Sequence, residues 1–117
     1  MKDDRAYLQH ILQCVRKIEE DVKAGRDQFF ASHTISDAVI RNLQVLAEST
    51  KRLSDEIKSA CPEIEWASIA GLRNVLVHAY FEVDLAVVWG IVKSDLPRLK
   101  ATVLTMLDRN EPESPPS

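Results

Sequence analysis

Leu8, Ile11, Leu12, Val15, Ile18 and Val22 recur at three- and four-residue spacing, so the chain from about Asp4 to Ala24 predicts an amphipathic helix. Asp3 or Asp4 is placed to cap its start, and Gly25 sits where a left-handed residue ends a helix. Arg26 to His33 then reads as a connector, with Phe29 and Phe30 folded back onto the core. A second stripe, Val39, Leu43, Leu46, Leu53 and Ile57, predicts one helix to about Ala60. At ~1.5 Å per residue it would be roughly 40 Å long. Thr34-Ile35-Ser36-Asp37 resembles a capping box at its start, and Cys61-Pro62 ends it, because a residue before proline is pushed out of helical geometry.

Trp66, Ile69, Leu72, Val75 and Leu76 predict a third helix from about Glu65 to Ala79. Phe81 to Asp84 breaks the pattern. Asp84 is a good N-cap for a fourth helix carrying Leu85, Val88, Trp89, Val92, Leu96, Leu99, Val103 and Leu107, with Val83 and Val88 spaced for a hydrophobic staple. Pro97 must kink that helix, or restart it with Asp95 as a new cap. The expected architecture is all-α: an antiparallel four-helix bundle over residues 1–109, followed by a disordered proline-rich tail at 110–117. Broad apolar stripes in so short a chain favour a symmetric homodimer, which would bury the excess.

Composition narrows this further. With 3 Gly and 5 Pro in 117 residues there are too few turn-formers for an all-β fold. Hydrophobic residues make up 45%, yet no apolar run is long enough to cross a membrane, and the charged start is unlike a secretory signal. Cys14 and Cys61 therefore read as reduced thiols of a cytoplasmic protein. The net charge of −3 excludes a protein that grips nucleic acid by coating phosphates over its whole surface. Any such role needs a local site, to which Arg41, Lys51 and Arg52 could contribute.

Little else carries chemistry. His10 and Cys14 have the spacing of half a metal site, but no second pair completes it, so a partly exposed histidine beside a packed cysteine is the simpler reading. His33 reads as a loop residue. No phosphate loop, dinucleotide fingerprint or nucleophile elbow is present, and no cofactor is called for.

The third helix differs. Arg73, Asn74, His78 and Tyr80 interrupt an otherwise apolar stretch. An arginine offers a planar fork to phosphate oxygens, a histidine exchanges a proton near neutral pH, and a tyrosine adds a donor and a stacking ring. Arg73 and Tyr80 are nearly aligned on a helix, but Arg73 and His78 are about 140° apart. Convergence requires the helix to end near His78 or a second copy to face it. Periodicity alone leaves the plainer alternative open, with Arg73 and His78 pairing to carboxylates such as Glu48 or Glu82.

The pattern R-x4-H-x-Y resembles the signature of the HEPN superfamily, and its flanks are similar to the HepT-like branch. The matching text is Asp37-Ala38-Val39-Ile40-Arg41-Asn42-Leu43, Ile69-Ala70-Gly71-Leu72-Arg73-Asn74, Val77-His78-Ala79-Tyr80-Phe81, Val83-Asp84-Leu85 with Val88-Trp89, and Asp95-Leu96-Pro97. Where relatives often carry Gly before the glutamate of helix two, this chain has Ala47-Glu48. The resemblance implies a dimeric helical bundle acting as the toxin of a toxin–antitoxin pair. Its activity would be that of a metal-independent endoribonuclease with one cleft shared by two protomers. It also implies roles: Arg73 on the scissile phosphate, His78 as general acid or base, Asn74 as an extra phosphate contact, and Tyr80 shaping the site. Tyr80 would also be where a minimal nucleotidyltransferase antitoxin attaches AMP. A non-catalytic helical module that binds nucleotide or substrate for such a nucleotidyltransferase is the alternative within the same resemblance.

Overall fold

The computed structural model describes residues 4–78 and 84–109, with side chains described for 4–72 and 84–109. The regular elements among the described residues are all helices: α1 (Asp4–Asp21), α2 (Arg26–Ala31), α3 (His33–Lys51), α4 (Asp55–Ser59), α5 (Trp66–His78), α6 (Leu85–Gly90) and α7 (Leu96–Arg109). A π-helical turn at Ile91–Asp95 joins the last two. None of these helices is long and apolar enough to cross a membrane.

The expected bundle is present. Helix α1 packs against α3 and α7, and α3 packs against α5. Contacts fix the directions. Asp4 meets Ser54 while His10 meets Ser49, so α1 and α3 run antiparallel. Arg5 donates to the Leu107 carbonyl while Lys100 pairs with Glu19, so α1 and α7 do the same. The stripes read from the sequence become the core: Leu8, Ile11, Val15, Ile18, Val39, Leu43 and Val103 are fully buried. Each such side chain contributes about 1.5–3 kcal/mol relative to exposure.

Several local expectations need correction. The Arg26 to His33 connector is largely helix α2, and it sends only Phe29 into the core; Phe30 is 36% exposed. Gly25 takes φ +99°, a backbone angle that L side chains rarely adopt, and so marks the corner before α2. Helix α3 starts at His33, not after a Thr34 box, because Ser32 is extended and its hydroxyl accepts from the Ile35 N–H at 3.3 Å. His33 is thus helical rather than a loop residue.

The long second helix is broken at Arg52-Leu53-Ser54. Leu53 and Ile57 remain buried across the break, so the hydrophobic stripe gave no sign of it. The cause is a cap: the Ser54 hydroxyl accepts from the Ile57 N–H and starts α4. Asp4, expected to cap α1, instead accepts from Ser54. At Pro97 the last helix does not restart with Asp95 as a cap; a π turn precedes α7, which begins at Leu96. The backbone stays right-handed helical through Gly90, Ile91 and Leu96, and the Leu96 N–H donates to Ile91, five residues back. A π turn makes room for the proline ring, which would otherwise press on the carbonyl of Lys93. Asp84 caps α6 as expected, accepting from the Ala86 N–H at 2.9 Å. The Val83 staple and the tail at 110–117 lie outside the described residues.

Candidate active site

Helix α5 carries the motif, and its first turn is pinned in place. The Trp66 indole N–H donates to the carbonyls of Lys58 (3.0 Å) and Cys61 (3.1 Å), tying α5 to the end of α4. The same indole holds together the corner that Cys61-Pro62 was expected to turn. From there Ile69 and Leu72 pack against the core cluster on the side of α3. The helix is almost uncharged, yet from Trp66 to Leu72 no residue is fully buried. An apolar helix with no distinct polar face is normally covered on more than one side. Over Trp66–Leu72, the described elements cover α5 only in part.

Arg73, Asn74 and His78 all lie within α5, which is helical through His78. Asn74 and His78 are therefore one helical turn apart, about 40° around the axis, while Arg73 and His78 are separated by about 140°. The helix does not place Arg73 and His78 at the same register position. Tyr80 lies outside the described residues.

The other candidate residues are resolved in detail. His10 shares a hydrogen bond with the Ser49 hydroxyl at 2.7 Å, and Cys14 is buried in the core. Among the described residues no three His, Cys, Asp or Glu side chains gather as a metal-holding group. Arg52 donates to Glu48 at 3.3 Å, and its bonds to the Tyr7 phenol and to Glu48 raise the guanidinium pKa further above its usual value. Arg41 and Lys51 are exposed on α3. Between α1 and the end of α3, Tyr7, His10, Gln44, Glu48, Ser49 and Arg52 line a pocket of about 420 Å³. No sequence pattern points to it, because its residues come from two separate segments of the chain.

A profile of the ribonuclease HepT-like family matches residues 11–106, nearly the whole of the described chain. The chain belongs to the ribonuclease HepT-like family. Individual relatives agree. The chain is 36% identical over 100 residues to a probable ribonuclease HepT of Thermococcus cleftensis, covering 85% of this chain and 91% of that one. It is 33% identical over 103 residues to a proposed RNase of Methanocaldococcus jannaschii, covering 87% of this chain and 94% of that one. A longer protein of M. jannaschii, named for a gamma-glutamylcyclotransferase and a proposed RNase, is 40% identical over 114 residues. That match takes in 94% of this HepT-like chain but only 51% of the relative, so the chain spans about half of that protein's length. No solved structure matches at a significant level.

Proposed function

We propose that this HepT-like chain is an endoribonuclease that cleaves without a metal ion and works as the toxin of a toxin–antitoxin pair. The observation that carries the reading is the register of Arg73 and His78 on a partly uncovered, apolar α5. One helix sets the two residues about 140° apart. Two copies of α5 packed across a two-fold axis would form a single cleft, with the arginine of each motif near the histidine of the other. The same packing would cover the apolar face of α5, so the assembly is a homodimer.

The chemistry follows from the residue types. The Arg73 guanidinium takes the scissile phosphate in a planar fork, and Asn74 adds a donor. His78 moves the proton as the ribose 2′-oxygen attacks phosphorus. A new 2′-O–P bond forms as the 5′-O–P bond breaks, and the leaving 5′-oxygen takes up a proton. The products are a 2′,3′-cyclic phosphate and a 5′-hydroxyl. Tyr80 shapes the cleft, and a minimal nucleotidyltransferase partner transfers AMP from ATP to its phenolic oxygen, releasing pyrophosphate and the phenol's proton and placing negative charge where RNA phosphate would bind. An RNA substrate and this partner both place the protein in the cytoplasm.

The test is purified wild type against His78→Ala on total RNA, with and without EDTA, with circular dichroism confirming the fold. Cleavage that survives EDTA and is lost in His78→Ala supports the reading. Equal cleavage by both proteins, or cleavage abolished by EDTA and restored by a divalent ion, overturns it.

A further inference from the structure

Away from α5, α2 and α6 meet in a cluster of aromatic rings and cations. Phe29 is fully buried and acts as the hinge of the cluster. It contacts Phe30 edge-to-face with ring centres 5.3 Å apart, and Trp89 at 5.2 Å with the rings tilted by 41°. The two outer rings are therefore held within two ring contacts of each other by a core residue. Each carries a cation. The Arg26 guanidinium lies 4.5 Å from the Phe30 ring centre, and the Lys93 ammonium 5.5 Å from that of Trp89. Phe30 is 36% exposed, Trp89 is half-buried, and both cations are on the surface.

Burial alone does not account for this arrangement. Phe30 keeps 36% of its surface exposed, and a six-residue helix gains little from a surface cation. Asp27 is the one carboxylate on α2, and Asp95 lines a separate apolar pocket beside Leu96 and Leu99. Two cations with aromatic rings beneath them thus stand out locally in a chain whose net charge is −3. A guanidinium plane and an aromatic face both accept stacked nucleobases, and a neighbouring ammonium suits the backbone phosphate. Because Phe29 anchors both outer rings from the core, little order has to be gained on binding.

The geometry points to a platform for single-stranded RNA, in which bases stack at Arg26–Phe30 and Trp89 while Lys93 meets the intervening phosphate. The platform rests on the ribonuclease reading. It adds that the substrate is unpaired on at least one side of the cut, because a base within a duplex cannot stack on a protein ring.

Binding is measured separately from cleavage, by fluorescence anisotropy with a fluorescein-labelled, fully 2′-O-methylated single strand and the same strand in a duplex. The modified strand lacks the attacking hydroxyl. Wild type should prefer the single strand. Phe30→Ala and Arg26→Ala should each weaken that binding by at least about fivefold. Lys93→Ala should weaken it and flatten its salt dependence. Trp89→Phe keeps a ring in place if removal of Trp89 unfolds the protein, and it should bind less tightly than wild type. Folded variants that bind as tightly as wild type overturn the platform, as does a wild type that prefers the duplex or binds neither form. Variants that bind the strand normally but no longer co-purify with a nucleotidyltransferase would make this face a protein-docking surface, again overturning it. Cleavage is read on total RNA and platform binding on the uncleavable strand, so failure of the ribonuclease reading and failure of the platform are separate results.

Discussion

The carboxylate of Asp4 accepts both the backbone N–H of Ser54, at 2.8 Å, and its hydroxyl, at 2.6 Å. The same hydroxyl accepts from the Ile57 N–H and so caps α4. One side chain at the start of α1 therefore fixes the point where the chain leaves α3. Ser54→Ala should cost about 1–3 kcal/mol, combining a lost cap with a lost hydrogen bond to a charged group. Asp4→Asn keeps one acceptor and should cost less. Urea melts of both variants and the double mutant should show coupling. If the two effects simply add, the contact is only a surface encounter.

This break in α3 also shows what the sequence could and could not reveal. The hydrophobic stripes placed the core residues correctly, because burial follows period whether or not the backbone is continuous. Leu53 and Ile57 are buried on either side of a turn that their spacing conceals. Its sign was Ser54 followed by acidic Asp55 and Glu56, a cap signature overshadowed by the uninterrupted stripe. Short α2 was missed for a similar reason, since its six residues are too few to show a period. Arg73, Asn74 and His78 stand out in the sequence because they interrupt an apolar helix, and the structure adds their register on α5. The aromatic platform does not stand out, because it joins helices far apart in sequence.

Proline in the last helix gives a second prediction. The π turn at Ile91–Asp95 already accommodates the ring of Pro97. Pro97→Ala should therefore change stability by no more than about 1 kcal/mol, whereas Ala101→Pro, in the middle of α7, should cost about 3 kcal/mol or more. Comparable losses from both substitutions would mean that the turn is not an accommodation of the proline.

The two thiols should be silent in the native state. Burial raises the pKa of Cys14, only partly offset by nearby Lys17. Burial and the Glu63 charge raise that of Cys61, against an opposing pull from Arg109. Because the thiolate is the reactive form, both should label with a thiol reagent at pH 8 more than about tenfold slower than in urea. A folded pKa above the unfolded one also gives a sign. The stabilisation is complete below the unfolded thiol pKa and is lost as pH rises through the folded value. Stability should thus decline in the alkaline range, and less so in Cys14→Ala. Rapid native labelling of Cys14 would show that α1 opens far more readily than its buried face implies.

The composite cleft makes the most demanding prediction. If each cut uses the arginine of one copy and the histidine of the other, Arg73→Ala and His78→Ala should each be inactive alone. Co-expressed with different affinity tags and purified through both, they form heterodimers. These keep one intact arginine and one intact histidine in the shared cleft. Such heterodimers should recover cleavage well above either single variant, though below wild type. A doubly substituted chain paired with wild type provides the comparison, because that dimer also holds one copy of each residue, both on the same α5. If only this second dimer cleaves, Arg73 and His78 act within one chain despite their separation around the helix, and the two-copy cleft is wrong. If only the mixed single-variant dimer cleaves, catalysis crosses the interface. The roughly 140° between the two residues is then what makes the dimer necessary.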